Sequence, residues 1–420
     1  YSPRRMSNKQ SYTLPIILVG SLFLLWGLAN NMTDTLLAAF KRIMSMTDTQ
    51  TSLIQFAFYG AYFCFALPAA LFIRRHSYKS GIILGLSLYA GGAILFYPAA
   101  QTASYGFYLF AIYVLAGGCS ILETTANPYI LSMGPKESAT RRLNIVQAFN
   151  PIGSILGILL SQHFILAELS STTAEERALM DPALLAQMQA HELGAVTGTY
   201  MTLGFVLLAI MVAMLCIKMP SGGDTDKNAK LTDAFRRLYR NKPYRRGVVA
   251  QFFYVGAQIG VWSFTIRLVM SELNMVEKDA ATVYLVSIVG FCLMRFVFTW
   301  LMRYFQPSRL LLAAALLAAG STAVVILGSG WTAIVALVLI SAFMSLMFPT
   351  IYGIALEDVG NDTKIGASGL IQAILGGALL TPVQGWVSDH WGINASFVVP
   401  LVCFVVVFLY ALSCRQPSKA

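Results

Sequence analysis

Apolar residues fill this chain in long runs, and the polar stretches between them are mostly short. A helix needs about 20 apolar residues to cross a hydrocarbon layer. Twelve runs reach that length. They predict spanning helices over 12–39, 51–73, 80–100, 105–133, 143–167, 196–217, 246–271, 281–302, 309–328, 332–356, 366–388 and 393–414. An even number of crossings puts the two ends of the chain on one side.

Two polar stretches are longer than the rest. The first, about 218–245, divides the pattern into an N-terminal bundle (1–217), a connector and a C-terminal bundle (246–420), with six runs in each bundle. Within it, "LTDAFRRLYRN" sets apolar residues at helical spacing among basic ones. That pattern suits a helix lying on a membrane surface, or an ordinary connector. The second, about 168–195, falls on the opposite side and is expected to be partly helical and to cap that face. A faint repeat relates the halves. "GAYFCFALPAALFIRRHSYKSGIILG" from Gly60 and "GFCLMRFVFTWLMRYFQPSRLLLAAA" from Gly290 both run from an apolar helix through an arginine turn into the next helix. Paired six-helix halves point to a site near the midplane, between them.

Composition sharpens this picture. The 420 residues are 57% hydrophobic and 11% charged, against about 25% charged in soluble proteins. The net charge of +10 would suit nucleic acid if it were gathered in one patch. Instead the positive residues sit in short loops: Arg4, Arg5 and Lys9, then Arg74, Arg75 and Lys79, then Lys136, Arg141 and Arg142, then the connector. The other side holds only Lys41, Arg42, Arg177 and Lys278. The imbalance places both termini and the connector in the cytoplasm. Tyr1 to Gln10 is polar and basic, and the run that follows is too long for a signal-peptide core. The six cysteines lie in or at the ends of apolar runs without a CxxC pair, which suits packing rather than disulfides or metal. There is no GxxxxGK[ST] loop, no HExxH and no arginine ladder. ATP hydrolysis, zinc chemistry and voltage sensing therefore have no support, and nothing suggests an enzyme.

The chemistry lies in the few polar residues inside the runs. A charged side chain in hydrocarbon costs roughly 2.5–3.5 kcal/mol on insertion scales, so each must be neutral, hydrated or paired. Glu123, in "ILETTANPYI", sits near the middle of the fourth run, with Asn127 one turn on and Pro128 after it. Proline removes a backbone donor, so the helix is expected to loosen there. Asp34, in "WGLANNMTDTLL", shares a helix face with Asn30. A carboxyl that takes a proton on one side and gives it up on the other is what coupling to a proton gradient requires. Asn144, Gln147 and Asn150 follow at steps of three in the fifth run. Gln251, Tyr254, Gln258 and Trp262 mark one stripe of the seventh, and Gln372 and Gln384 lie in the eleventh. Amides both donate to and accept from hydroxyl groups, and aromatic rings cover C–H faces, so the set suits a small neutral sugar. Any one amide serves equally as interhelical glue. Arg267, near a helix end, can reach the interface. Arg295 lies deep in the eighth run and needs a partner, either a helix C-terminus or a carboxylate.

Together "WGLANNMTDTLL", "ILETTANPYI", "RRLNIVQAFNPIG" and "AQFFYVGAQIGVWSF" resemble the L-fucose/proton symporter family of the major facilitator superfamily, over essentially the whole membrane portion. The resemblance implies an all-α membrane protein of twelve helices in two six-helix bundles that works by alternating access. It implies proton coupling through Asp34 and Glu123, and sugar contacts from Asn30 or Asn31 and from Gln147 and Asn150, to which the spacing adds Asn127. Thr33 and Ser120 depart from the family pattern beside the two acids, which leaves the sugar open between L-fucose and a related hexose. Sodium coupling of a glucose- or galactose-type transporter, and a sugar sensor without net transport, are the rival readings. The expected partners are a small neutral sugar and the lipid bilayer, with no nucleic acid and no cofactor beyond the coupling ion. The expected form is a monomer in a bacterial inner membrane.

Overall fold

The computed structural model describes residues 12–45, 48–172, 174–221 and 230–414. The first six crossings are made by α1 (Thr13–Ile43), α2 (Asp48–Arg75), α3 (Tyr78–Ile94) continued by α4 (Phe96–Thr102), α5 (Tyr105–Ser132), α6 (Ala139–Gln147) continued by α7 (Phe149–Phe164), and, after the short α8 (Ala174–Ala178), α9 (Pro182–Cys216). The helix α10 (Leu231–Arg240) follows. The second six are α11 (Lys242–Leu273), α12 (Glu277–Leu301), α13 (Pro307–Leu327), α14 (Gly330–Met344) with α15 (Met347–Ala355), α16 (Thr363–Gln372) with α17 (Leu375–Trp391), and α18 (Ile393–Ser396) with α19 (Val398–Ser413). Twelve segments among the described residues are long and apolar enough to cross a membrane.

Several crossings are broken, and proline explains most of the breaks. Proline has no N–H and clashes with the carbonyl four residues back. Pro98, Pro151, Pro349 and Pro400 each lie four residues after the end of one helical piece or just beyond it: Ile94, Gln147, Ser345 and Ser396. Pro128 behaves differently from expectation, because α5 runs through it unbroken. Its neighbours are buried on every side from Leu115 to Ile130, and that close packing holds the helical path. The sixth crossing also departs from expectation. Hydropathy starts it at 196, whereas α9 begins at Pro182. Hydropathy marks the bilayer edge rather than the helix end, and the added residues are good helix formers with proline in the first turn. At 35 residues the helix is about 52 Å long, well beyond a hydrocarbon layer of about 30 Å.

Within each bundle the helices approach closely where small residues meet backbone. In lipid such packing replaces the hydrophobic drive that assembles soluble cores. α1 and α7 illustrate it: a Cβ on Gly27 would collide with the Asn150 carbonyl, and one on Gly153 with the Leu24 carbonyl.

The bundles meet mainly on the face that carries the loops near 76, 135, 304 and 358. There α6 touches α15, α16 touches α2 and α5, and α12 touches α6 and α7. Lys136 pairs with Asp358 at 3.2 Å across the interface. The Lys364 ammonium lies 4.8 Å from the centre of the Tyr78 ring. Arg237 of α10 grips Asp362 with two bonds of 2.8 Å. A cleft of about 1020 Å³ remains on this face, lined in part by Ser132, Glu137, Thr140, Glu357 and Asn361.

Candidate functional site

Glu123 is 6% exposed, within the stretch of α5 from Leu115 to Ile130 that is buried all round. The Tyr62 hydroxyl, from α2, donates to its Oε1 at 3.0 Å. Ser120 ties the same two helices by donating to the Tyr62 carbonyl at 2.9 Å. One turn on, Asn127 donates to the Glu123 carbonyl at 3.0 Å and its Oδ1 accepts from Gln147 Nε2 at 2.7 Å. Glu123 forms no ion pair among the described residues. Among the described residues it is a buried acid held by one neutral donor.

The cluster continues into the second bundle through Arg295. Its Nη1 donates to the Gln147 carbonyl at 2.8 Å, and its Nε donates to the Ser345 carbonyl at 2.6 Å. These two carbonyls stand four residues before Pro151 and Pro349. In an unbroken helix each would accept from the residue now replaced by proline. The guanidinium therefore satisfies acceptors that two prolines have freed, one in each bundle. Its plane lies over Phe291, 4.7 Å from the ring centre. Of the two partners open to Arg295, the structure gives helix C-termini. Beside it, Asn144 donates to the Thr350 hydroxyl at 3.2 Å, a second bond between bundles.

On α11 the predicted stripe divides. Gln251 and Tyr254 are fully buried and donate to the Phe348 and Met344 carbonyls, both at 3.2 Å. Each braces the interrupted tenth crossing. Gln258 and Trp262 are half-buried. The Trp262 indole donates to Ser341 at 3.0 Å and meets the Phe291 ring edge-on at 5.0 Å. On α1, Asn31 donates to the Gly27 carbonyl at 3.3 Å. Asn30 is half-buried, and its Oδ1 has no hydrogen-bond partner among the described residues. Asn150, also half-buried, packs beside Gly27. Asp34 belongs to α1, but its side chain lies outside the described residues.

The structure thus joins Glu123, Asn127 and Gln147 in one bonded cluster with Arg295; Trp262 meets the Phe291 ring on which Arg295 lies, and Asn30, Asn150 and Gln258 lie on α1, α7 and α11 outside that cluster. Tyr62, Ser345 and Thr350 were missed. Nothing marks Tyr62 among 19 tyrosines, and the Ser345 role lies in its carbonyl. Pro349 does flag that carbonyl, for a reader who counts four residues back.

Two bundles of broken helices around a polar, partly buried centre define a membrane transporter. The family model described as Major Facilitator Superfamily matches residues 19–374. An L-fucose-proton symporter of Haemophilus influenzae (strain ATCC 51907 / DSM 11121 / KW20 / Rd) is 40% identical, with 96% of each chain covered. An L-fucose-proton symporter of Escherichia coli (strain K12) is 38% identical, covering 96% of this chain and 94% of its own. Among solved structures, the major facilitator transporter FucP in the outward conformation superposes with a TM-score of 0.90 at 37% identity, over 97% of this chain and 100% of that one. The chain belongs to the major facilitator superfamily, in the family of the L-fucose-proton symporters.

Proposed function

We propose that the protein is a proton-coupled symporter that imports L-fucose or a closely related hexose across a bacterial inner membrane by alternating access. Both termini and α10 face the cytoplasm in this reading. The bundles meet on that side, so the state is closed to the cytoplasm.

The observation that carries the reading is Glu123. A buried carboxylate without a counter-charge is far out of balance. A proton supplies the missing charge and leaves a neutral group that can cross with the moving bundles. Asp34, on a neighbouring helix, is the second acid of the pair. The sugar is held by the half-buried Asn30, Asn31, Asn150, Gln258 and Trp262. Asn127, Gln147, Gln251 and Tyr254 stand behind them and fix the helices that present them. Gln147 links the two events, because its side chain bonds toward Glu123 while its carbonyl holds Arg295.

Purified protein in liposomes tests this directly. With an imposed inward proton gradient, labelled L-fucose should accumulate, and adding the sugar to lightly buffered vesicles should alkalinise the outside medium without sodium. Glu123→Gln should lose accumulation and keep exchange of labelled for unlabelled sugar. Full accumulation by Glu123→Gln would remove this glutamate as the proton carrier.

A further inference from the structure

On the face opposite the loops near 76, 135, 304 and 358 lies a second buried charge cluster. Arg177 of α8 is 1% exposed, and Glu192 of α9 is 0% exposed. They form a two-pronged pair, Nη1 to Oε1 at 2.8 Å and Nη2 to Oε2 at 2.9 Å. The Ser170 N–H also donates to Glu192 Oε2 at 3.0 Å, and Arg177 Nε donates to the Thr172 carbonyl at 3.2 Å. Two further bonds reach α1. Arg177 Nη1 donates to the carbonyl of Ile43 at 3.2 Å, and Gln189 Nε2 donates to the same oxygen at 3.0 Å.

Ile43 is the last residue of α1. Its carbonyl is among those that a helix end leaves without an internal partner. A guanidinium there also complements the negative end of the helix dipole. The cluster therefore ties the end of α1 to a helix that extends past the bilayer. The same α1 carries Asn30, Asn31 and Asp34, and Asp34 lies nine residues, or about 13 Å, from the tie.

We propose that Arg177 and Glu192 are positioning residues for transport, a clamp that makes the end of α1 one body with α9. Resting on the symport reading above, the clamp holds the Asn30–Asp34 segment in register while the bundles rock. Without it this part of α1 bends independently, so sugar and proton are no longer captured together.

The pair can be removed without leaving a lone buried charge, because Arg177→Met with Glu192→Leu deletes both ions. A spin label at Ser45, with the exposed Cys64 and Cys216 replaced by serine, reports the end of α1 whether or not the protein transports. The double variant should narrow the spectrum at position 45. In liposomes it should also raise the KM for L-fucose exchange and lower uphill accumulation, each by about fivefold or more, while the maximal exchange rate stays within about twofold. An unchanged spectrum overturns the clamp. A narrowed spectrum with KM and accumulation unchanged overturns its part in transport and leaves it a structural tie. If the unsubstituted protein itself fails to accumulate L-fucose, the symport reading fails, and the spectrum still decides whether the clamp exists. Should the double variant not fold, Arg177→Gln with Glu192→Gln decides, since it removes both charges and the two-pronged pair while keeping polar groups of similar length. Greater mobility at 45 with a raised KM supports the proposal, and no change in either overturns it.

Discussion

At the scale of single residues, the site is built from groups whose partners are unusual ones. Among the described residues Arg295 pairs with no carboxylate, and it binds two backbone carbonyls that proline has released. Removing it orphans both acceptors in a region where water is scarce. Each unsatisfied buried group costs about 1–3 kcal/mol. Arg295→Met should therefore lower the melting temperature of the purified protein and abolish uptake. Arg295→Lys can still reach one carbonyl and should recover part of the stability, though little of the transport, because one ammonium cannot copy a two-pronged bridge. Thermal melts beside liposome uptake check both. Glu357 offers a contrast in the loop between α15 and α16. Burial raises its pKa first, and the neighbouring Asp358 charge raises it further, partly offset by Lys136. A raised carboxyl pKa means that the folded state prefers the neutral acid. The stability it contributes is full at pH below the unfolded value, about 4.3, and is lost as pH climbs through the folded value. Glu357→Gln should thus melt higher than the parent at pH 7. The two curves should converge near pH 4, and equal melting temperatures at both pH values would show that Glu357 carries no such penalty.

At the scale of elements, the breaks matter more than the helices. Pro151 separates α6 from α7 and frees the Gln147 carbonyl. Pro151→Ala restores the missing N–H, so Gln147 gains an internal donor and the bond to Arg295 is no longer needed. The expected result is a protein at least as stable as its parent, since alanine suits a helix better than proline, with slower transport. Loss of both stability and transport would mean that the break is demanded by packing rather than by Arg295. The same element shows what could be read in advance. All twelve crossings were legible, because lipid demands long apolar runs. Glu123, Asn127 and Gln147 also stand out in the sequence, because a polar group in such a run is costly and must be explained. The bonding between them was not legible, since spacing gives helix faces but not the rotation of one helix against another. Pro128 and Pro151 make the limit plain. Both are prolines beside the site, yet α5 passes through one and the fifth crossing breaks at the other, and only the packing around them decides which. The clamp on Ile43 lay beyond reach for another reason. Arg177 and Glu192 fall in a polar stretch where charged residues are ordinary, and nothing local says that folding will bury them.

At the scale of the whole molecule, transport depends on two bundles that can close on one face and part on it later. The closed face is made by a few bonds and by close approach, and the approach rests on Gly353. A Cβ there would lie 2.6 Å from the Thr140 hydroxyl across the interface, so α15 and α6 meet only because this residue has no side chain. Gly353→Val drives a wedge between them. Overpacking of this kind costs roughly 1–3 kcal/mol, and it bears on the closed state alone, because parting the bundles relieves it. Each 1.4 kcal/mol is about a tenfold change in an equilibrium, so the open population on that face should rise about 5- to 140-fold. A cysteine at Ser132, which lines the cleft on that face, reports the change through its labelling rate with a membrane-impermeant maleimide applied to inverted vesicles. Labelling should speed up in Gly353→Val, and uphill uptake should fall, since a carrier held open on one face cannot complete its cycle. Adding Thr140→Gly removes the other side of the collision and should return both readouts toward the parent. If Thr140→Gly fails to rescue, the valine acts inside its own bundle and the interface is not where the two states are balanced.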